Sequence, residues 1–344
     1  MTNYNIKSGD VLSPRSILIW RVVQTLIWII GAGILFYLIF FPKIGIHLFW
    51  NILIPIAPAL LVVGVGLWRN VCPMGTTSLL PRHLNFSKRK KLSVSQTSQL
   101  NFIAVIALFV IVPLRHVIFD QSGLATAILI ISMGLIAIVL GLFYEWKSAW
   151  CSGLCPIHPV EKLYGLNNKL PLPNAHCYQC FRCVTPCPDS TPGINPYSAK
   201  KTNYHKLSGF LMVAAFPGFI WGWFQAPDYN GITNFAQLVP IYLYPIIGAL
   251  VTSALYLILN RFFKVKFLTA LFSSAAVSCY YWFRIPALVG YGVFPGDGML
   301  YDLTNILPEW STILIVSLTT VFFFWWILIR KNYKLSWMKR PNYA

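Results

Sequence analysis

Negative charge is scarce in this chain. Its 344 residues carry nine Asp and Glu against 27 Lys and Arg, charged residues make up 10%, and hydrophobic residues 57%. Soluble domains run near 25% charged, so a soluble globular protein is excluded. Glycine-rich phosphate loops are missing: there is no GxGxxG and no Walker-type lysine loop, so a flavin, nicotinamide or nucleotide site has no support. HExxH and the nucleophile elbow are absent too, which leaves hydrolysis without a motif.

What fills the space is apolar sequence. Mean hydropathy is +0.63. Stretches near the ~20 residues that cross a bilayer recur at 17–41, 47–68, 101–119, 124–146, 207–226, 239–259, 267–289 and 311–329. The first is too long for a signal peptide's apolar core and lacks a small-residue cleavage site, so it reads as an uncleaved span. Threading eight spans with both termini on one side places all but Lys43, Arg115 and Arg284 of the 27 basic residues on that side. Such a bias marks the cytoplasmic face. It makes the run Lys88–Lys91 a topology signal and excludes nucleic acid as the partner of the +18 net charge. Haem has no visible ligands: none of the six histidines falls mid-span, and only His47 and His116, near outer span ends, could face each other.

The cysteines follow the same partition. Cys177, Cys180, Cys183 and Cys187, followed by Pro188, are spaced C-x-x-C-x-x-C-x-x-x-C-P. This is the bacterial-ferredoxin run, in which three thiolates hold one [4Fe–4S] cube and the fourth serves another. Zinc ligands come instead as two separated pairs. Cys72, Cys151 and Cys155 fall after the second and fourth spans, on the basic side, where a reducing compartment disfavours disulfides. Cys279, within the seventh span, reads as a small packing residue. A weak internal repeat links Trp68-Arg69-Asn70-Val71-Cys72-Pro73 with Cys151-Ser152-Gly153-Leu154-Cys155-Pro156. Each copy follows a helical hairpin, and a pseudo-two-fold arrangement would present both Cys-Pro corners to one pocket.

Hairpins ending in C-x-x-x-C-P and followed by a ferredoxin run resemble the membrane polyferredoxins of the periplasmic nitrate reductase system. The iron–sulfur membrane portion of nitrous-oxide-reduction regulators and the membrane iron–sulfur proteins of copper-oxidase assembly are similar. The resemblance covers residues 17–190 and implies electron exchange between membrane quinone and iron–sulfur centres. Three features depart from it: Trp68 stands where the first motif has its first cysteine, a single ferredoxin run is present, and the spans from about residue 207 have no counterpart.

The expected molecule is therefore an all-α polytopic membrane protein with about eight transmembrane helices and a small cytoplasmic ferredoxin-like [4Fe–4S] insert. It divides into four spans with the first Cys-Pro motif (1–146), an iron–sulfur segment (147–206) and four further spans (207–344). The expected setting is a prokaryotic inner membrane, with termini and cysteine motifs cytoplasmic. One [4Fe–4S] cluster is expected and a second iron–sulfur centre beside it. Seven cysteines serve eight ligand positions, so the second centre takes His158, His176 or Asp189 as its non-cysteine ligand or is a three-iron cluster; the alternative is a single cluster. The work expected is that of a quinone-linked oxidoreductase component acting with another redox protein or subunit. Alternatives are supply of electrons to copper or haem maturation, and a relay or anchor subunit of a larger complex. An inner-leaflet quinone slot is expected around Trp68, Cys72, Trp150 and Cys155. Arg115, His116 and Arg284 form the outer alternative, against local pairing with Asp120, Asp297 or Asp302.

Overall fold

The computed structural model describes residues 13–90, 92–145, 147–165, 172, 175–176, 202–229, 231, 234–294 and 298–330. The run Cys177–Cys187 and Asp189 lie outside the described residues, as do the terminal segments.

Among the described residues the architecture is all-helical, with no strand beyond one isolated bridge between Lys90 and Tyr144. Six helices are long and apolar enough to cross a membrane: α1 (Pro14–Phe40), α2 (Pro42–Val63), α5 (Val94–Phe119), α6 (Gly123–Phe143), α10 (Phe235–Leu259) and α12 (Glu309–Ile329). Short helices α3 (Val65–Val71) and α4 (Pro73–His83) follow α2. A π-helical segment, α7 (Lys147–Leu154), and α8 (Ile157–Tyr164) follow α6. Helix α9 covers residues 203–223 and α11 is Val265–Leu288. Starts are marked locally. Ser13 caps α1 ahead of Pro14, and Ser93 forms a capping box with Gln96 at α5, satisfying N–H groups that have no intrahelical partner.

The sequence predicts eight spans, and two of them, at 207–226 and 267–289, correspond to α9 and α11, which fall outside the six. The reason is where they sit. From Met212 to Ile220 every side chain of α9 is buried, and α11 buries Ser273, Ser274, Ser278, Tyr280, Tyr281 and Arg284. Helices enclosed by protein are free to carry hydroxyls and a guanidinium that a lipid-facing helix would exclude. At 24 residues, α11 is still ~36 Å long. The outward faces are the apolar ones: Leu18, Leu135, Leu250, Val251 and Val321 are more than half exposed. Polar inside and apolar outside is the pattern of a chain solvated by lipid rather than water.

Small residues let the interior helices close up. A Cβ on Gly218 of α9 would stand 1.9 Å from the Gly248 carbonyl oxygen of α10, and one on Gly248 2.0 Å from that of Gly218. Thr252 completes the contact by accepting from the Gly218 N–H at 3.3 Å. Gly248→Val should therefore force the helices apart and cost about 1–3 kcal/mol, read as a lower unfolding midpoint in detergent.

Candidate functional site

Both Cys-Pro dipeptides are corners between short helices. The Cys72 N–H closes the last turn of α3 onto Trp68 O at 2.9 Å, and Pro73 is the first residue of α4. In the second copy the Cys155 N–H bonds Trp150 O at 2.9 Å, closing α7, and Pro156 precedes α8. Proline has no N–H to contribute and its fixed φ suits a first helical turn, so the dipeptide stops one helix and opens the next.

Neither corner is a loop standing away from the bundle. Pro73 rests on Gly31, well inside the 27-residue α1 (a Cβ there would be 3.9 Å from the proline ring). One turn along α4, Trp28 Nε1 donates to Thr77 Oγ1 at 3.1 Å. At the far end of α4, Arg82 Nη1 bonds Glu145 Oε2 at 3.1 Å, just beyond α6. Helix α4 thus runs from the middle of α1 to the end of α6. In the second copy, Trp150, Ser152, His158 and Leu163 are at most 1% exposed. Residues 149–165, within the segment read as the iron–sulfur one, are mostly buried or half-buried in the bundle.

The corners meet. A single cavity of about 200 Å³ is lined by Cys72, Cys151 and Cys155 together with Trp68, Arg69, Met74, Gly75, Trp150, Pro156, Ile157 and Glu161. Its other wall is apolar: Phe49, Ile111, Leu129, Ile130 and Met133. The Cys72 and Cys155 thiols lie within electrostatic reach of each other and of Glu161. Cys151 packs on Leu79 of α4, so the two copies interlock. All three membrane-proximal cysteines expected at one site are therefore there, with Trp68 and Trp150. Cys279 stands apart, packed at the edge of the main core.

Two features were not anticipated from the sequence. First, Arg69 of α3 pairs through Nε with Glu161 Oε1 of α8, side chains 4% and 10% exposed. Arg69 precedes Cys72 by three residues and Glu161 follows Cys155 by six, so the pair clamps one corner to the other. The available signal was the rarity of acids: Glu161, one of only nine in the chain, follows Cys155-Pro156 within two turns of helix. Second, the residues just before the ferredoxin run are fastened to α3. The Ala175 N–H donates to Asn70 Oδ1 at 2.7 Å, Gln24 Nε2 donates to Asn70 O at 3.0 Å, and Gln24 Nε2 meets His176 Nε2 at 3.2 Å. Asn70 is fully buried, and His176 and Gln24 nearly so. The run begins one residue after this anchor.

The outer candidates are taken up by protein partners. Arg115 Nη2 bonds Asp120 Oδ2 at 3.2 Å, and its guanidinium lies 5.3 Å from both the Trp50 and Trp223 rings. His116 Nδ1 faces Asp228 Oδ1, and its Nε2 donates to Trp223 O at 3.0 Å. Arg284 Nη2 donates to Asn51 Oδ1 at 2.8 Å and Trp50 O at 3.2 Å. Local pairing with Asp120 is the outcome for Arg115; Asp297 lies outside the described residues. His47 Nδ1 is 3.3 Å from Asn51 Nδ2. At the basic end of α4, burial and then the neighbouring Arg21 and Arg82 push His83 below the ordinary histidine range.

Among the described residues no three His, Cys, Asp or Glu side chains stand close enough to hold a metal ion by themselves. The donor chemistry nevertheless fits an iron–sulfur group: three soft sulfur donors border one cavity, and thiolates are the ligands such clusters select. Cys72, Cys151 and Cys155 would supply ligands from this side. His158, 1% exposed, has its N–H on Cys155 O at 3.2 Å. No family model, no curated protein and no solved structure matches the chain.

Proposed function

We propose that this is a membrane electron-transfer protein that passes electrons between membrane quinone and iron–sulfur centres held by Cys72, Cys151, Cys155 and the run Cys177–Cys187. One observation carries the reading: two Cys-Pro corners, more than 80 residues apart in sequence, share a cavity. Bound there, [4Fe–4S] centres supply single-electron exchange. The chain's own contributions follow from its packing. The apolar wall keeps water from the half-buried sulfur donors. The Arg69–Glu161 clamp holds the corners in register. The apolar wall leads from Cys72 to mid-helix positions such as Met133, where a lipid-soluble quinone would arrive. Quinol-driven reduction of the centres in purified protein, followed by visible absorbance, tests the reading; no reduction by any quinol overturns its quinone half.

The same proposal includes eight crossings, α9 and α11 being the two interior ones, with both termini and the cysteines on the cytoplasmic side. The bias of basic residues supports it. Reporter fusions near Asp228 and Asp302 should read outside the cell and one near Lys88 inside. The reverse reading at Lys88 overturns the topology.

A further inference from the structure

We propose that the strap formed by residues 87–90 holds the headgroup of one anionic phospholipid, whose acyl chains lie along the outward face of α6. The inference goes beyond electron transfer and rests on the lipid-facing surface alone. That face of α6 is an apolar ridge: Leu124, Ile128, Ile131, Leu135, Val139 and Phe143 recur every three or four residues and are each at least 40% exposed. The strap lies across the end of this ridge. Ser87 Oγ donates to Gly141 O at 2.6 Å, the Lys88 N–H to Leu142 O at 2.7 Å, and the Lys90 N–H to Phe143 O at 2.9 Å. The Glu145 N–H returns to Lys90 O at 3.0 Å. With the Tyr144 N–H on Leu140 O at 2.8 Å, the four carbonyls that a helix leaves open at its end are all met. The ammonium groups of the strap are therefore not drawn onto α6 to satisfy them.

A topology signal needs only charge on the correct side; this segment also fixes where its charges stand. Arg89 lies in the left-handed region at φ 50°, a conformation that residues with a Cβ avoid, and Asn85 does so at φ 60°. Such backbone persists only where the surrounding bonds over-determine it, and ligand clamps are among the places where it is found. Lys88, Arg89 and Lys90 are exposed, and Lys88 Nζ stands 5.2 Å from the ring centre of Phe143, the last residue of the ridge. Among the described residues neither lysine pairs with a carboxylate. Beside them Leu84 and Phe86 are more than half exposed. Apolar side chains next to cations suit the headgroup layer, where phosphates meet acyl chains; a soluble acidic partner would account for the charges alone. The phosphate supplies the counter-charge for Lys88 and Lys90, and the ridge supplies the wall for its chains.

The test titrates the purified full-length protein, freed of lipid in detergent, with dioleoyl phosphatidylglycerol or dioleoyl phosphatidylcholine. Native mass spectrometry reads the affinity of the first lipid bound, and phosphatidylglycerol should bind the more tightly. Lys88→Gln/Lys90→Gln should weaken phosphatidylglycerol about thirtyfold and leave phosphatidylcholine unchanged. Lys264→Gln/Lys266→Gln removes the same charge from exposed lysines at the start of α11, on the same basic side, and should change neither lipid. Should the first glutamine pair lower the lipid-free unfolding midpoint, Lys88→Gln alone carries the test, with a loss of about fivefold. Equal losses in the two glutamine pairs would mean a general field rather than a site, and no loss at Lys88 and Lys90 would mean no headgroup contact. Either result overturns the inference. So does displacement of the lipid by an equal concentration of glycerophosphoglycerol, its water-soluble headgroup, which would assign the surface to a soluble anionic partner.

Discussion

Cys72→Ser and Cys155→Ser are each expected to remove iron from the purified protein and to erase a low-temperature electron spin resonance signal expected of the wild type. The wild type should hold at least the ~4 irons per chain of one [4Fe–4S] cube. The expectation comes from the shared cavity: both thiols line it although 83 positions separate them in sequence. Serine keeps the volume and the helix-ending backbone, so the Cys-Pro corner should survive and only the donor be lost. Cys180→Ser, in the ferredoxin run, should remove a signal as well. If the Cys72 and Cys155 variants leave iron content and spectrum unchanged while Cys180→Ser alters both, the corner cysteines are packing residues and the ferredoxin run acts alone. Loss of iron from Cys279→Ser would contradict the assignment from the other side, because that thiol is packed against the core away from the cavity.

Arg69→Leu should be strongly destabilising, by about 3–5 kcal/mol, because it takes the guanidinium from a buried ion pair with Glu161. The side chains are 4% and 10% exposed, so solvent does little to offset the lost charge. Leucine at both positions should recover most of the loss, as paired replacement of a buried ion pair by apolar groups is often neutral. Chemical denaturation in mild detergent reads both variants. A double variant no more stable than Arg69→Leu would mean that the pair is not the clamp between the corners.

Fold and site were legible to different depths for physical reasons. Helices α1, α2, α5, α6, α10 and α12 announce themselves by apolar length, because lipid contact demands an apolar surface along the whole span. Helix α11 announces itself less clearly, because protein rather than lipid surrounds Ser273, Ser274, Tyr280 and Arg284, and composition reports the solvent a helix needs. Glu161 and Lys162 belong to the stretch read as part of the iron–sulfur segment, and both are buried, Glu161 against a partner 92 residues away.

The chain's own order of residues determined what depends on neighbours along it: the apolar spans, the C-x-x-C spacing, and the helix stop and start that each Cys-Pro imposes through proline's missing N–H and fixed φ. Only the tertiary structure decided which distant groups meet. Cys72 comes to Cys155, Arg69 to Glu161 and Ala175 to Asn70, while His116 is claimed by Asp228, 112 residues away. Such pairings are settled by how helices pack around one another, where the desolvation of a buried charge or N–H is offset only by the partner that packing delivers. No local pattern carries that information.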